Sequence, residues 1–157
     1  MTTNALSRPG RVRAGLLALA AVPALQSAWM LLAPRGFYDE FPGLGRSWLP
    51  PVGVYDEHLS RDVGAAMLGM AVVLIAAAVL AERRVVQVAL IGFLAATLPH
   101  FTYHLTTTGS YPAVDNALSL GGFAVQVGFA VWLLFQTRTR SVSWPASSPS
   151  RRPRAVH

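Results

Sequence analysis

Hydrophobic and polar positions follow one another along this chain in long blocks. Four apolar runs, at 14–33, 63–81, 85–105 and 116–135, stand between segments that hold nearly all of the charge. A helix rises about 1.5 Å per residue, so a run of about 20 residues spans the roughly 30 Å hydrocarbon core of a bilayer. The pattern predicts four membrane-crossing helices. Pro23 in the first run and Pro99 in the third are compatible with this, because proline kinks are tolerated in membrane helices.

The connections differ in kind. Segment 34–61 is the longest, and Pro34, Pro42, Gly43, Gly45, Pro50, Pro51 and Gly53 punctuate it too closely for a long helix or a central strand. It also carries Phe37, Tyr38, Phe41, Trp48 and Tyr55, which is not the composition of a flexible polar linker. Amphipathic rings settle at the headgroup level, and long loops of this type serve as interfacial anchors or as lids over binding sites. Glu82, Arg83 and Arg84 predict a tight turn between the second and third spans, and 106–115 a short polar return into the fourth.

Composition agrees with the pattern: 53% of the residues are hydrophobic and 13% charged. A net charge of +6 would suggest nucleic acid in a soluble chain, but here most arginines flank apolar spans, and no nucleic-acid partner is expected. The partner expected is the lipid bilayer, with a membrane protein or a second copy of the chain as further candidates. The absence of Cys excludes disulfides, thiolate metal ligands and cysteine nucleophiles.

Arginine placement predicts orientation. Three arginines precede the first span, two lie in the 82–84 turn and five follow the fourth span. The opposite side has only Arg35, Arg46 and Arg61, set among Asp39, Glu40, Asp56 and Glu57. The positive-inside rule then places both termini in the cytoplasm of a multi-pass cell-membrane protein. The arginines before the first run also resemble the start of a cleaved signal peptide. That run, however, is longer than the usual signal core, and a cut after Ala28 would put Gln26 where a small residue is wanted. The expected fold is all-α, an antiparallel four-helix transmembrane bundle with a long external loop between helices 1 and 2. It divides into a cytoplasmic N-terminal segment at 1–13, the transmembrane domain at 14–135 and a basic cytoplasmic tail at 136–157, whose Ser, Pro and Arg content predicts disorder.

Membrane helices pack where small residues let backbones approach. Ala117, Gly121, Ala124 and Gly128 share one stripe of the fourth span and are expected to face a neighbour. By the same count His58, Asp62, Gly69 and Ala76 share a face of the second span, and Ala89, Ala96, His100 and His104 one of the third. With this topology His58, Asp62, His100, Tyr103, His104 and Asp115 all arrive at the external level, forming an expected polar cluster beneath the aromatic loop.

Several chemistries are open to such a cluster. His100 and His104 stand one helical turn apart, a spacing at which two imidazoles bind one metal, and Asp62 or His58 would complete a ligand set. Phe101 after His100 excludes the His-Glu-x-x-His pattern of zinc proteases. Haem is the other ligation reading for the histidines, and, since histidine titrates near neutrality, an acid and two histidines beside aromatic rings could instead shuttle protons or hydrogen-bond a quinone carbonyl. Pro99 adds to the site by removing the backbone donor that would reach the carbonyl of Ala95. The structural alternative is that Asp62 pairs with Arg61 or a histidine and ties helices together at the membrane boundary. Transport is less well supported, because the mid-span polar residues Gln26, Gln87, Ser119 and Gln126 include no charge.

The motifs Phe37-Tyr38-Asp39-Glu40-Phe41-Pro42-Gly43, Tyr55-Asp56-Glu57-His58-Leu59-Ser60-Arg61-Asp62-Val63-Gly64-Ala65, Leu98-Pro99-His100 and Tyr103-His104 resemble those of a family of uncharacterised four-span integral membrane proteins of actinobacteria. The likeness extends over about residues 14–135 and implies a whole four-helix unit. In span layout the chain is more distantly similar to DoxX-like proteins, some of which are quinone-linked oxidoreductase subunits. The expected function is a membrane binding or accessory subunit with an external His/Asp cluster. The alternative is a quinone-linked or metal- or haem-dependent oxidoreductase subunit.

Overall fold

The computed structural model describes Leu6 and residues 8–137. The disorder expected in the tail falls, beyond Thr137, outside the described residues, as do residues 1–5 and Ser7 of the N-terminal segment. Among the described residues the chain forms α1 (Pro9–Leu32), α2 (Pro34–Glu40), β1 (Pro42–Gly43), β2 (Arg46–Ser47), α3 (Glu57–Leu80), α4 (Arg83–Thr106) and α5 (Ala113–Gln136). A single 3-10 turn at Thr108–Ser110 lies between α4 and α5. Helices α1, α3, α4 and α5 are each 24 residues long and apolar enough to cross a membrane.

The long helices begin earlier than the apolar runs do, extending back into the flanking sequence before each run. Proline at the first position of α1 needs no hydrogen-bond partner for a missing N–H, and its fixed φ suits a helix start. Asp56 caps α3, its side chain accepting from the Leu59 amide at 2.9 Å, with Glu57 favourably placed in the first turn. The break between α1 and α2 falls at Ala33, which precedes Pro34 and is pushed out of the helical region (φ −142°, ψ 65°).

Helix α1 runs antiparallel along α3. Arg13 Nη2 donates to the carbonyl of Val79 (3.3 Å) near one end, and Arg61 Nη1 to that of Leu31 (2.7 Å) near the other. Gly64 makes this approach possible, since a Cβ there would stand 2.9 Å from the Cβ of Met30. Helix α4 lies against α5, and Gln87 Nε2 donates to Thr137 Oγ1 at 3.1 Å where α4 begins and α5 ends. The start of α1 meets the end of α5 at Gly15 and Leu133. Val12, Leu16 and Leu19 of α1, Leu74 of α3, Val86, Leu90 and Phe93 of α4 and Leu133 of α5 form the core. These residues all lie toward the end of the helices that carries the α3–α4 turn. At the opposite end, which carries the loop, burial thins.

This distribution corrects the expected packing faces. Ala117, Gly121, Ala124 and Gly128 are exposed, and no atom lies within 4 Å of where a Cβ on Gly121 or Gly128 would be. His58, Asp62, Gly69 and Ala76 are exposed as well, while α3 buries Gly64, Ala71, Leu74, Ala77 and Ala78. Of the α4 face, Ala89 is buried, but Ala96 and His100 are exposed. Small residues permit close approach without requiring it; here the contacts form where Leu and Phe side chains fill space against Gly15, Gly64 and the alanines.

Candidate functional site

The loop that follows α1 is an ordered structure. Phe37 is buried in α2, edge-on to Trp29 of α1 (ring centroids 5.5 Å apart) and 4.7 Å from Phe41. Three successive residues with positive φ, Gly43, Leu44 and Gly45, turn β1 back into β2. The two glycines adopt this conformation without steric cost, leaving Leu44 fully exposed at the tip. Trp48 then packs between Phe41 (5.7 Å) and Tyr111 (6.3 Å). Further along, Tyr38 donates to the carbonyl of Gly53 at 2.6 Å, and the Arg35 guanidinium lies over the rings of Tyr38 and Tyr55. Arg35 is also paired with Asp39 at 2.7 Å.

Asp115 anchors this loop to α5. It lies in the first turn of α5, where the amide dipoles favour a negative charge, and accepts from Arg46 and from the indole of Trp48 (2.9 Å). Asn116 donates to the carbonyls of Thr108 (2.7 Å) and Tyr111 (3.0 Å), which fixes the return between α4 and α5. Tyr111 is thereby held above α4. Its phenol titrates above the ordinary range, chiefly because burial disfavours the phenolate and secondarily because of neighbouring Tyr103.

His100 and His104 meet beneath Tyr111. Their Nε2 atoms are 3.2 Å apart, so in the neutral pair one ring carries hydrogen on Nε2 and the other presents a lone pair there. Phe123 of α5 packs against both, at 4.8 Å from His100 and 5.1 Å from His104, and Tyr111 stacks on His104 at 6.4 Å. The two imidazoles, with Leu49, Val52, Tyr103, Thr107 and Tyr111, line a cavity of about 140 Å³ with mainly apolar walls. The aromatic series from Trp29 through Phe37, Phe41, Trp48 and Tyr111 thus ends on the histidine pair.

The six residues expected to converge divide into three groups. His100, Tyr103 and His104 share the cavity. His58 and Asp62 pair with each other at 3.3 Å and are 89% and 63% exposed, on the outside of α3. Asp115 is committed to Arg46 and Trp48. Among the described residues no three His, Asp or Glu side chains come together as a metal ligand set, so the four-ligand site of His58, Asp62, His100 and His104 is not assembled. The expected tie between helices does occur, but through Arg61, which reaches the Leu31 carbonyl near the end of α1 while also pairing with Glu57 (2.9 Å).

Sequence reasoning missed Arg46, Trp48, Leu49, Val52, Thr107, Tyr111 and Phe123 as parts of one site. Two signals pointed to them. Arg46 and Asp115 are opposite charges on the arginine-poor side of the chain, and Tyr111 precedes Pro112 just where the last span begins, the interfacial position that favours aromatic anchors.

No family model matches the chain, and no curated protein or solved structure does either. The chain is a mostly helical protein with four helices able to cross a bilayer, and these features identify it as a small membrane protein.

Proposed function

We propose that this chain is a four-pass cell-membrane protein with both termini cytoplasmic, folded as an antiparallel bundle with the 34–56 loop outside. We further propose that it works as a binding or accessory subunit whose external site is the His100/His104 cavity. The carrying observation is the bent imidazole pair that forms one wall of that cavity. Core packing concentrates at the opposite end of the helices, so the loop-end helices are free to enclose a ligand rather than one another. The loop that covers the cavity is fastened to α5 by Asp115 instead of hanging free. An accessory role is supported by α5, which leaves Ala117, Gly121, Ala124 and Gly128 open to a neighbouring helix.

Size narrows the ligand. A cavity of about 140 Å³ is below the roughly 300–1,000 Å³ of pockets that enclose drug-sized molecules or cofactors. This favours a small ligand over a haem or a whole quinone ring with its substituents. Native mass spectrometry of the full chain, released gently from the membranes of its own host, tests the reading. The expected result is a ligand-bound mass that disappears in Thr107→Trp, whose indole fills the cavity, and in His104→Ala, but persists in His58→Ala. A bare chain in every sample, or a ligand that survives filling of the cavity, contradicts it.

A further inference from the structure

The hydrogen bond between His100 and His104 is bent rather than head-on. Two imidazoles joined head-on through Nε2 at this separation would have centroids roughly 5.5 Å apart. The observed centroids are 4.9 Å apart with 39° between the ring planes, so the lone-pair axes lean away from the line joining the nitrogens. A cation bound at about 2.0–2.1 Å from each of two nitrogens 3.2 Å apart subtends an angle of roughly 100°, between the octahedral and tetrahedral values. The separation of the two nitrogens therefore matches that of a chelating pair.

We propose that His100 and His104 chelate a borderline divalent cation of the zinc, nickel or copper class at the wall of the cavity. The inference rests on the cavity being the ligand site and names its ligand. The donor set gives the selectivity: two neutral imidazoles suit these cations, whereas magnesium and calcium require oxygen donors. The two carboxylates expected in the cluster are engaged elsewhere, Asp115 by Arg46 and Trp48 and Asp62 by His58. The chain thus supplies two ligands, and the remaining coordination positions open into about 140 Å³, room for a few water molecules or one small anion. Phe123 against both rings and Tyr111 on His104 hold the imidazoles in place, which lowers the cost of ordering them around an ion. Both nitrogens must present lone pairs, so the ring with hydrogen on Nε2 moves it to Nδ1; binding needs a tautomer change and no net ionisation.

The test uses untagged full-length protein in detergent, stripped with a chelator and titrated calorimetrically with Zn²⁺, and with Co²⁺ followed by its visible absorption. The expected result is one cation per chain with micromolar affinity, weakened at least about tenfold in His100→Ala and in His104→Ala and unchanged in His58→Ala. Binding only at millimolar cation, binding indifferent to His100→Ala, or equal loss in His58→Ala overturns the proposal. Should the alanine variants fail to fold, carbethoxylation of the wild-type histidines gives a second readout. Protection of His100 and His104 by Zn²⁺ and not by Mg²⁺ supports chelation, and equal modification with and without Zn²⁺ refutes it. An organic ligand in the native mass spectrum combined with a failed Zn²⁺ titration removes the cation and leaves the cavity as a binding site; failure of both removes both.

Discussion

The indole of Trp48 donates a 2.9 Å hydrogen bond to Asp115, joining the loop between α2 and α3 to the first turn of α5 across 67 residues of sequence. Arg46 reaches the same carboxylate oxygen, so one side chain holds both the strand β2 and the residue that follows it. Removing the acceptor leaves a guanidinium and an indole N–H to find water instead. Asp115→Ala is expected to free the loop, with tryptic cleavage after Arg46 accelerating several-fold while the helical circular dichroism stays unchanged. Cleavage at the wild-type rate would show that the carboxylate does not fasten the loop.

Two glycines should respond differently to the same methyl group. At Gly64 an added Cβ meets the Cβ of Met30 at 2.9 Å, an atom tied to its backbone, so α1 and α3 must separate. At Gly15 the clash is with the tip of Leu133, at 2.6 Å, and that side chain can rotate. Gly64→Ala is expected to cost about 1–3 kcal/mol of stability in detergent and Gly15→Ala less, despite its shorter nominal contact. Thermal unfolding of the two variants decides the order.

Much of the fold was legible because a bilayer imposes simple requirements. Length and apolarity alone located the four long helices, and the prolines at 34, 42, 50 and 51 marked the loop. The histidine pair was legible too, since a spacing of four residues places two side chains on one helix face wherever that face points. What could not be read was which face each helix turns toward its neighbours. The stripe at Ala117, Gly121, Ala124 and Gly128 was an expected contact, yet it lies open within the chain, because small residues permit close approach without fixing which helix makes it. His58 and Asp62 fit a common outer level, but depth along the membrane says nothing about rotation about the helix axis, and they lie outside. The Arg46–Asp115 pairing depends on the path of the loop, which no periodicity encodes.

Phe123 is the one residue of α5 whose ring touches both imidazoles. Replacing it with Ala removes an aromatic contact from each and opens a gap beside the cavity. The expected loss is at least about 1 kcal/mol of stability, accompanied by broadened imidazole signals in nuclear magnetic resonance spectra as the rings gain freedom. Sharp, unshifted signals would mean that the α4 backbone alone positions the pair.

Tyr111 supplies a pH signature. Its phenol titrates above its ordinary value near 10, mainly through burial, so the folded state prefers the protonated form more strongly than the unfolded state does. The associated stability is fully present below the unfolded value and is lost as the pH rises through the folded one. Tyr55 is raised too, by burial and then by neighbouring Glu57, so ultraviolet titration of tyrosinate should show a late phase that shrinks in Tyr111→Phe and disappears only when Tyr55→Phe is added. Tyr111→Phe should also flatten the decline of thermal stability at alkaline pH; an unchanged titration curve would place the ring in open solvent.

Orientation is the claim on which the external site depends, and a chain without cysteine allows it to be measured directly. Single cysteines are introduced at Leu44, the exposed tip of the hairpin, and at Glu82, in the α3–α4 turn, and intact cells are treated with a membrane-impermeant maleimide. Labelling of Leu44→Cys on intact cells, and of Glu82→Cys only after permeabilisation, is the predicted result. The reverse pattern, or labelling of both positions from one side, would contradict a four-pass protein with its histidine site outside.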